Sequence, residues 1–450
     1  MGNKEILPSD FNAESLPLYD PNSKEFSRRF SRRQLLRGSA VVAVASWLGR
    51  EPIARIAAAV YSQIDAKRRS NVSNDEFLWN NREKLKNVRL GCTFTPEKFD
   101  IYSSTHHYDE DSRYKDAFAA LRIAVEILGI RDIRLGLRMD NISRDGKTID
   151  FAYYRPFINY CLKMGVNVTF CLGAIKTPGW DEQHQSDEFL ESLTRLPAWG
   201  ERISGSSELG QKAIKYKDRL CRRLLYEYGK QRSVQGTNEP FQKYGEFGWT
   251  VDKEYIKNAA EVFNNYFPKA TILFNSAGFL NLREIHKTLS YLKQEVPSLN
   301  GRLFIGIDYY SEHPSIPRFP ILGRPDPILL GQVLLNDPFD WIRKSGYPVG
   351  ISEAQWETWL EDGRPVLTAP SKDDKAFKFT LLRGVENILS EEGGPIMLWG
   401  LEEQASDMMN GLLTDGQVQN VDLIQRINFR PRPLRRVFEG DSELCNKRAA

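Results

Sequence analysis

The chain has 450 residues, 41% of them apolar and 27% charged, which is the balance of a soluble globular protein with ample core. That length exceeds a usual single domain but fits one α/β barrel with loop insertions. A formal net charge of +3, carried mostly near the chain ends, is too small to suggest a nucleic-acid binder, and no nucleic-acid partner is expected. Five His are scattered and five Cys (92, 161, 171, 221, 445) lack paired or metal-ligand spacing, so no metal, cofactor or disulfide framework is expected. Nine Trp and eighteen Tyr bring the aromatic content to 11%, a share that suits a large core and also flat faces for sugar rings.

The N-terminal stretch reads as an address. Ser31-Arg32-Arg33-Gln34-Leu35-Leu36-Arg37 precedes a modest apolar run from Gly38 to Gly49, too short for an ordinary membrane span. It resembles a twin-arginine export signal, which implies the twin-arginine machinery as a partner and a periplasmic or extracellular destination. Ala57-Ala58-Ala59 is a candidate cleavage stretch, and an uncleaved anchor or a basic arm are the alternatives. Residues 1–80 are therefore assigned to signal and linker, 81–430 to the folded domain and 431–450 to a basic tail. Export after folding in a reducing compartment also suits unpaired cysteines.

From residue 87 onward, short apolar, β-rich runs alternate with helical patterns. Strands are expected at 88–94, 132–137, 167–172, 233–237, 271–275, 302–308, 348–352 and 395–399. Most are continuous apolar runs, as parallel strands covered on both faces require. Helices are expected at 114–128, 153–164, 212–228, 253–266, 282–295, 327–344 and 374–389, with one more after the last strand. Eight such units predict a closed (β/α)8 barrel, the TIM-barrel member of the α/β class. Leu90-Gly91-Cys92-Thr93-Phe94-Thr95-Pro96 holds one Gly and a Pro, which speaks against a dinucleotide-binding open sheet.

Polar residues collect where the strands end. Arg134, Arg138, Asp140 and Asn141 belong to the second strand, and Lys176, Trp180 and His184 follow the third. Gly236-Thr-Asn-Glu-Pro240 closes the fourth, with Asn238 and Glu239. Asn275 and Ser276 end the fifth, and Asp308-Tyr309-Tyr310 the sixth. Glu353, Gln355, Trp356, Glu357 and Trp359 accompany the seventh, and Trp399, Glu402 and Glu403 the eighth. In a barrel the C-terminal strand ends carry the active site, and the opposite ends show no such cluster. Buried strand ends solvate a negative charge poorly, so Glu239 and Glu353 are unexpected as purely structural residues. A pair of glutamates on one cleft is the equipment for cleaving a glycosidic bond.

Asn-Glu-Pro after strand 4, Glu353 after strand 7, Arg134 on strand 2, a Tyr after strand 6 and Trp399 at strand 8 resemble the retaining glycoside hydrolases of clan A, the cellulase-like superfamily. The likeness covers residues 88–405. It implies Glu239 as acid/base, Glu353 as nucleophile and Asn238 on the sugar 2-hydroxyl, with oligo- or polysaccharide as substrate. Arg134 is the expected cation beside Glu353, Tyr310 (Tyr309 if the register shifts by one) the expected donor to it, and Trp399 the floor of the sugar subsite. Trp180, His184 and Gln355 are further candidate substrate-binding residues. The usual His after strand 3 has no clear counterpart, because His184 lies far past Leu172. Glu357 is a second carboxylate close to Glu353. Two other classes fit parts of the pattern, a non-hydrolytic carbohydrate-binding barrel and a Schiff-base lyase built on Lys176.

Overall fold

The computed structural model describes residues 50–99, 110–143, 145–173, 175, 197–198, 200–243, 248–277, 281–310, 328, 342, 344–355, 375–389, 394–409, 411, 413 and 415–429. Eight parallel strands close into a barrel: β1 Val88–Phe94, β2 Asp132–Gly136, β3 Asn167–Cys171, β4 Ser233–Gln235, β5 Thr271–Ala277, β6 Leu303–Tyr309, β7 Val349–Gln355 and β8 Gly394–Trp399. Neighbours follow chain order, and β8 closes the ring on β1 with Val88 opposite Gly394 and Cys92 opposite Leu398. Every strand predicted from the sequence is present, β1 at its expected bounds and the others with ends shifted by one to three residues. The apolar runs that mark them are buried on both faces, packed inward into the ring and outward against helices.

The helices between strands have physical starts and stops. Glu208–Tyr228 begins at Ser207, whose hydroxyl accepts the Gly210 N–H, and ends at Gly229, whose φ of +74° a side chain would resist. Lys253–Tyr266 begins at Asp252, whose carboxylate accepts the Tyr255 N–H at 2.7 Å. Helix Glu110–Arg122 runs on as a π-helical turn, Ile123–Ile127, before β2. The helix expected at 327–344 and the tail at 431–450 lie largely or wholly outside the described residues, as do residues 1–49.

Residues 50–80, which the sequence assigns to signal and linker, form with 81–85 three helices packed on the barrel domain: Arg50–Ser70, Asn74–Asn80 and Arg82–Leu85. The first lies against helix Lys375–Asn387 and runs through the Ala57–Ala59 stretch. Arg69 forks onto both oxygens of Glu386 at 2.6 and 2.9 Å, and Arg383 Nη1 donates to Ser62 Oγ at 2.8 Å. Phe77, Leu78 and Leu85 are buried in the common core. The charge of this stretch hides its contribution, because its apolar contacts are few and spaced. Among the described residues no helix is long and apolar enough to cross a membrane. The cysteines at 92, 161, 171 and 221 are free and buried.

Candidate active site

The site grows out of one cation. Arg134, on β2, is fully buried inside the ring and spends its guanidinium on four partners. Nε donates to Gln235 Oε1 at 2.6 Å and Nη2 to Asn238 Oδ1 at 2.6 Å. Nη1 donates to Glu353 Oε1 at 2.5 Å and to Thr93 Oγ1 at 3.3 Å. Burial works against the charge, but the Glu353 carboxylate, by its charge and its hydrogen bond, outweighs it, so the group is held more firmly protonated than in water. Arginine suits this position because its planar fork serves several acceptors at once.

Glu353 has a second support. Tyr310 Oη donates to its Oε2 at 2.5 Å, while Tyr309 turns into the core. That resolves the sequence alternative in favour of Tyr310. Glu353 lies inside β7, which continues to Gln355 rather than stopping at 352. The reason is a bulge. Opposite β6, Ile307 pairs with Ile351 but Asp308 pairs with Glu353, so Ser352 is an extra residue, and the pairing with β8 shifts at the same place. A bulge re-aims side chains. Ser352 reaches Asp308 and Glu353 reaches Arg134, although neighbours on a regular strand point to opposite faces. Gly306 makes room for this, since a Cβ there would sit 2.4 Å from Ser352 Oγ.

Glu239 stands at the end of β4. Among the described residues it is the non-glycine with positive φ, at +42°. Such a backbone costs about 1–3 kcal/mol and survives where its surroundings over-determine it. The Glu239 N–H donates to Asn275 Oδ1 at 2.9 Å, and the Val251 N–H holds the following Pro240 carbonyl at 2.9 Å. Asn238 is equally constrained. Its Oδ1 accepts from Arg134, from Asn275 Nδ2 at 2.7 Å and from Gln235 Nε2 at 3.3 Å, which fixes which end of the amide is which.

Asp308, at 1% exposure, is linked toward both glutamates through its neighbours. Asn275 Nδ2 meets its Oδ2 at 2.7 Å and Ser352 Oγ its Oδ1 at 2.6 Å. Burial, then the charges of Glu353 and Glu239, push this carboxyl well above the usual range, against the pull of Arg134 and Ser352.

At the rim, Trp399 ends β8 beside Gln355 of β7. The Lys98 ammonium stands 4.6 Å from the centre of the Trp399 ring and 3.7 Å from Glu402, whose other oxygen takes the Thr95 N–H. Glu97 accepts from Tyr154 Oη and from Asn141 Nδ2, the latter at 3.0 Å. Burial raises its carboxyl to about 7, opposed chiefly by Arg138.

The structure thus gathers Arg134, Asn238, Tyr310 and Glu353 in one network and brings Glu239 to it through Asn275. Trp180, His184, Lys176, Trp356, Glu357 and Trp359 lie outside the described residues, and so do the side chains of Gln355, Asp140 and Glu403. Thr93, Gln235, Glu97 and the role of Asp308 escape the sequence reading. Glu97 alone carried a usable sign there, a charged residue just past a strand's C-terminal end. Among the described residues no cluster of His, Cys, Asp or Glu is arranged to hold a metal ion.

No protein-family model matches the chain, and no curated protein matches it in sequence. Solved structures do resemble it. A GH10 xylanase from Thermobacillus composti is 13% identical, over 71% of this chain and 86% of its own, with a TM-score of 0.40. A β-glucosidase from Thermotoga maritima, in complex with deoxynojirimycin, is 16% identical over 76% of this chain and 98% of its own, with a TM-score of 0.43. A GH10 protein from Paenibacillus barcinonensis is 12% identical over 71% and 85%, with a TM-score of 0.40. These three are named as a xylanase, a β-glucosidase and a GH10 protein, and each is something this chain is similar to. The eight-stranded ring itself rests on the strand register given above.

Proposed function

We propose that the protein is an exported retaining O-glycoside hydrolase acting on oligo- or polysaccharide. The observation that carries this reading is the shared clamp, in which Arg134 holds both the Glu353 carboxylate and Asn238, the residue before Glu239. Glu353 is the nucleophile. Arg134 and Tyr310 each occupy one of its oxygens, which fixes its orientation and aims it at the anomeric carbon. Glu239 is the acid/base, protonating the departing oxygen and then activating water. For double displacement the two carboxyls stand about 5–5.5 Å apart on either side of the scissile bond. With the Asn238 oxygen committed to three protein donors, its amide nitrogen is the end that meets the sugar 2-hydroxyl. Trp399 floors the subsite, and Trp180, His184 and Gln355 are assigned from the sequence as further substrate-binding residues. The arginine-rich N-terminus directs export through the twin-arginine machinery, in keeping with four buried, unpaired cysteines.

Glu239→Ala tests the acid role. Cleavage of glycosides with poor leaving groups should fall by on the order of 10²–10⁴-fold, the usual worth of general acid catalysis. Activated aryl glycosides should suffer less, and azide should restore turnover by forming a glycosyl azide. Equal losses on both substrate classes with no azide rescue would remove Glu239 from that role.

A further inference from the structure

Asp308 ends two short hydrogen-bonded chains, one running to each glutamate. Toward β5, its Oδ2 takes the Asn275 amide at 2.7 Å, and Asn275 Oδ1 in turn takes the Glu239 N–H at 2.9 Å. Toward β7, its Oδ1 lies 2.6 Å from Ser352 Oγ, the bulged residue whose extra position aims Glu353. We propose that Asp308 is a positioning residue that holds acid/base and nucleophile in one frame, and that it works as a neutral carboxylic acid. The inference rests on the glycosidase reading of the two glutamates.

The charge state follows from what surrounds the group. Among the described residues, Arg134 on β2, Glu239 after β4 and Glu353 on β7 are the titratable groups that act on it most. Arg134 is committed by hydrogen bond to Glu353, and among the described residues neither oxygen of Asp308 meets a cation. An ionised Asp308 would set a second buried negative charge near Glu353, and like charges at buried positions disfavour ionisation most. Burial and those two charges raise the group as expected. In the neutral form the carboxyl O–H donates to Ser352 Oγ while the other oxygen accepts from Asn275. A primary amide offers the same pattern, an N–H toward Ser352 and a carbonyl toward Asn275. Ionisation would leave the bridge acceptor-only and would oppose the negative charge of Glu353 that the reaction requires.

The test uses the full chain carrying Asp308→Ala or Asp308→Asn, with an aryl glycoside that the unaltered protein cleaves. Asp308→Ala should lower kcat by on the order of 10²-fold with little change in KM, the cost of about 1 Å of misplacement. Asp308→Asn should recover most of that loss, and the acid limb of its pH profile should overlay that of the unaltered protein. Loss in Asp308→Asn as deep as in Asp308→Ala, or an acid limb displaced in Asp308→Asn, would overturn the proposal. So would an Asp308→Ala variant that turns over normally. Infrared difference spectra between the unaltered protein and Asp308→Asn at neutral pH should show a protonated-carboxyl band lost on substitution. The spectrum stands even if Asp308→Ala fails to fold, and an absent band overturns the neutral form. Because it needs no turnover, a protein that shows the band yet cleaves no glycoside would sink the glycosidase reading, whereas cleavage without the band sinks this inference alone.

Discussion

Arg134 and Lys217 are both buried cations in the same wall of the barrel, and their surroundings treat them in opposite ways. Arg134, inside the ring, donates to a carboxylate, two amide oxygens and a hydroxyl, and stays charged. Lys217, on helix Glu208–Tyr228, donates to the Leu172 carbonyl at 2.5 Å and lies 5.3 Å from the centre of the Phe263 ring. Among the described residues no carboxylate pairs with it. Burial pulls it down to about 8, against the opposing influence of Cys221 and Cys171. A buried charge persists where a counter-charge and hydrogen bonds replace water, and otherwise it tends to shed its proton. The first arrangement orders chemistry at the mouth of the ring. The second packs a helix against β3.

Substitution separates the two. Arg134→Met should destabilise the protein by about 3–5 kcal/mol, because it strands the Glu353 carboxylate in a buried site, and should abolish turnover. Urea denaturation measures the first effect, and a loss under about 1 kcal/mol would mean that the network does not hold the charge as described. Lys217→Met should be far milder near neutral pH, within about 1 kcal/mol, since burial of an apolar isostere offsets the lost hydrogen bond. Its signature is a pH slope. The folded pKa of about 8 lies below lysine's ordinary 10.5, so this lysine contributes its full stability above 10.5 and loses it as pH falls through 8. The unaltered protein should therefore gain up to on the order of 3 kcal/mol from this group between pH 8 and 10.5, and Lys217→Met should lack that gain. An unchanged slope would show that Lys217 is solvated in the fold.

The ring was legible because its strands are long apolar runs, and β1 matches its expected bounds at both ends. Glu239 and Glu353 were legible because carboxylates stood at the ends of such runs. Asp308 was seen only as a strand-end residue, and Gln235 and Thr93 were passed over, because one polar residue in an apolar run carries no sign of which face it takes. The Ser352 bulge left no local mark either. It comes from Asp308 pairing with Glu353 on one side and Leu398 with Ala354 on the other, a relation no single segment contains. Residues 50–85 were hidden for a different reason. Their docking depends on separated contacts such as Arg69 with Glu386, which are 317 positions apart.

Product stereochemistry tests the central claim most directly, that Glu353 attacks while Glu239 protonates. Proton NMR of the first sugar released from an aryl glycoside should show the anomeric configuration of the substrate, before mutarotation mixes the forms. First-formed product of the opposite configuration would contradict the paired-glutamate double displacement and require a different arrangement of the same cleft.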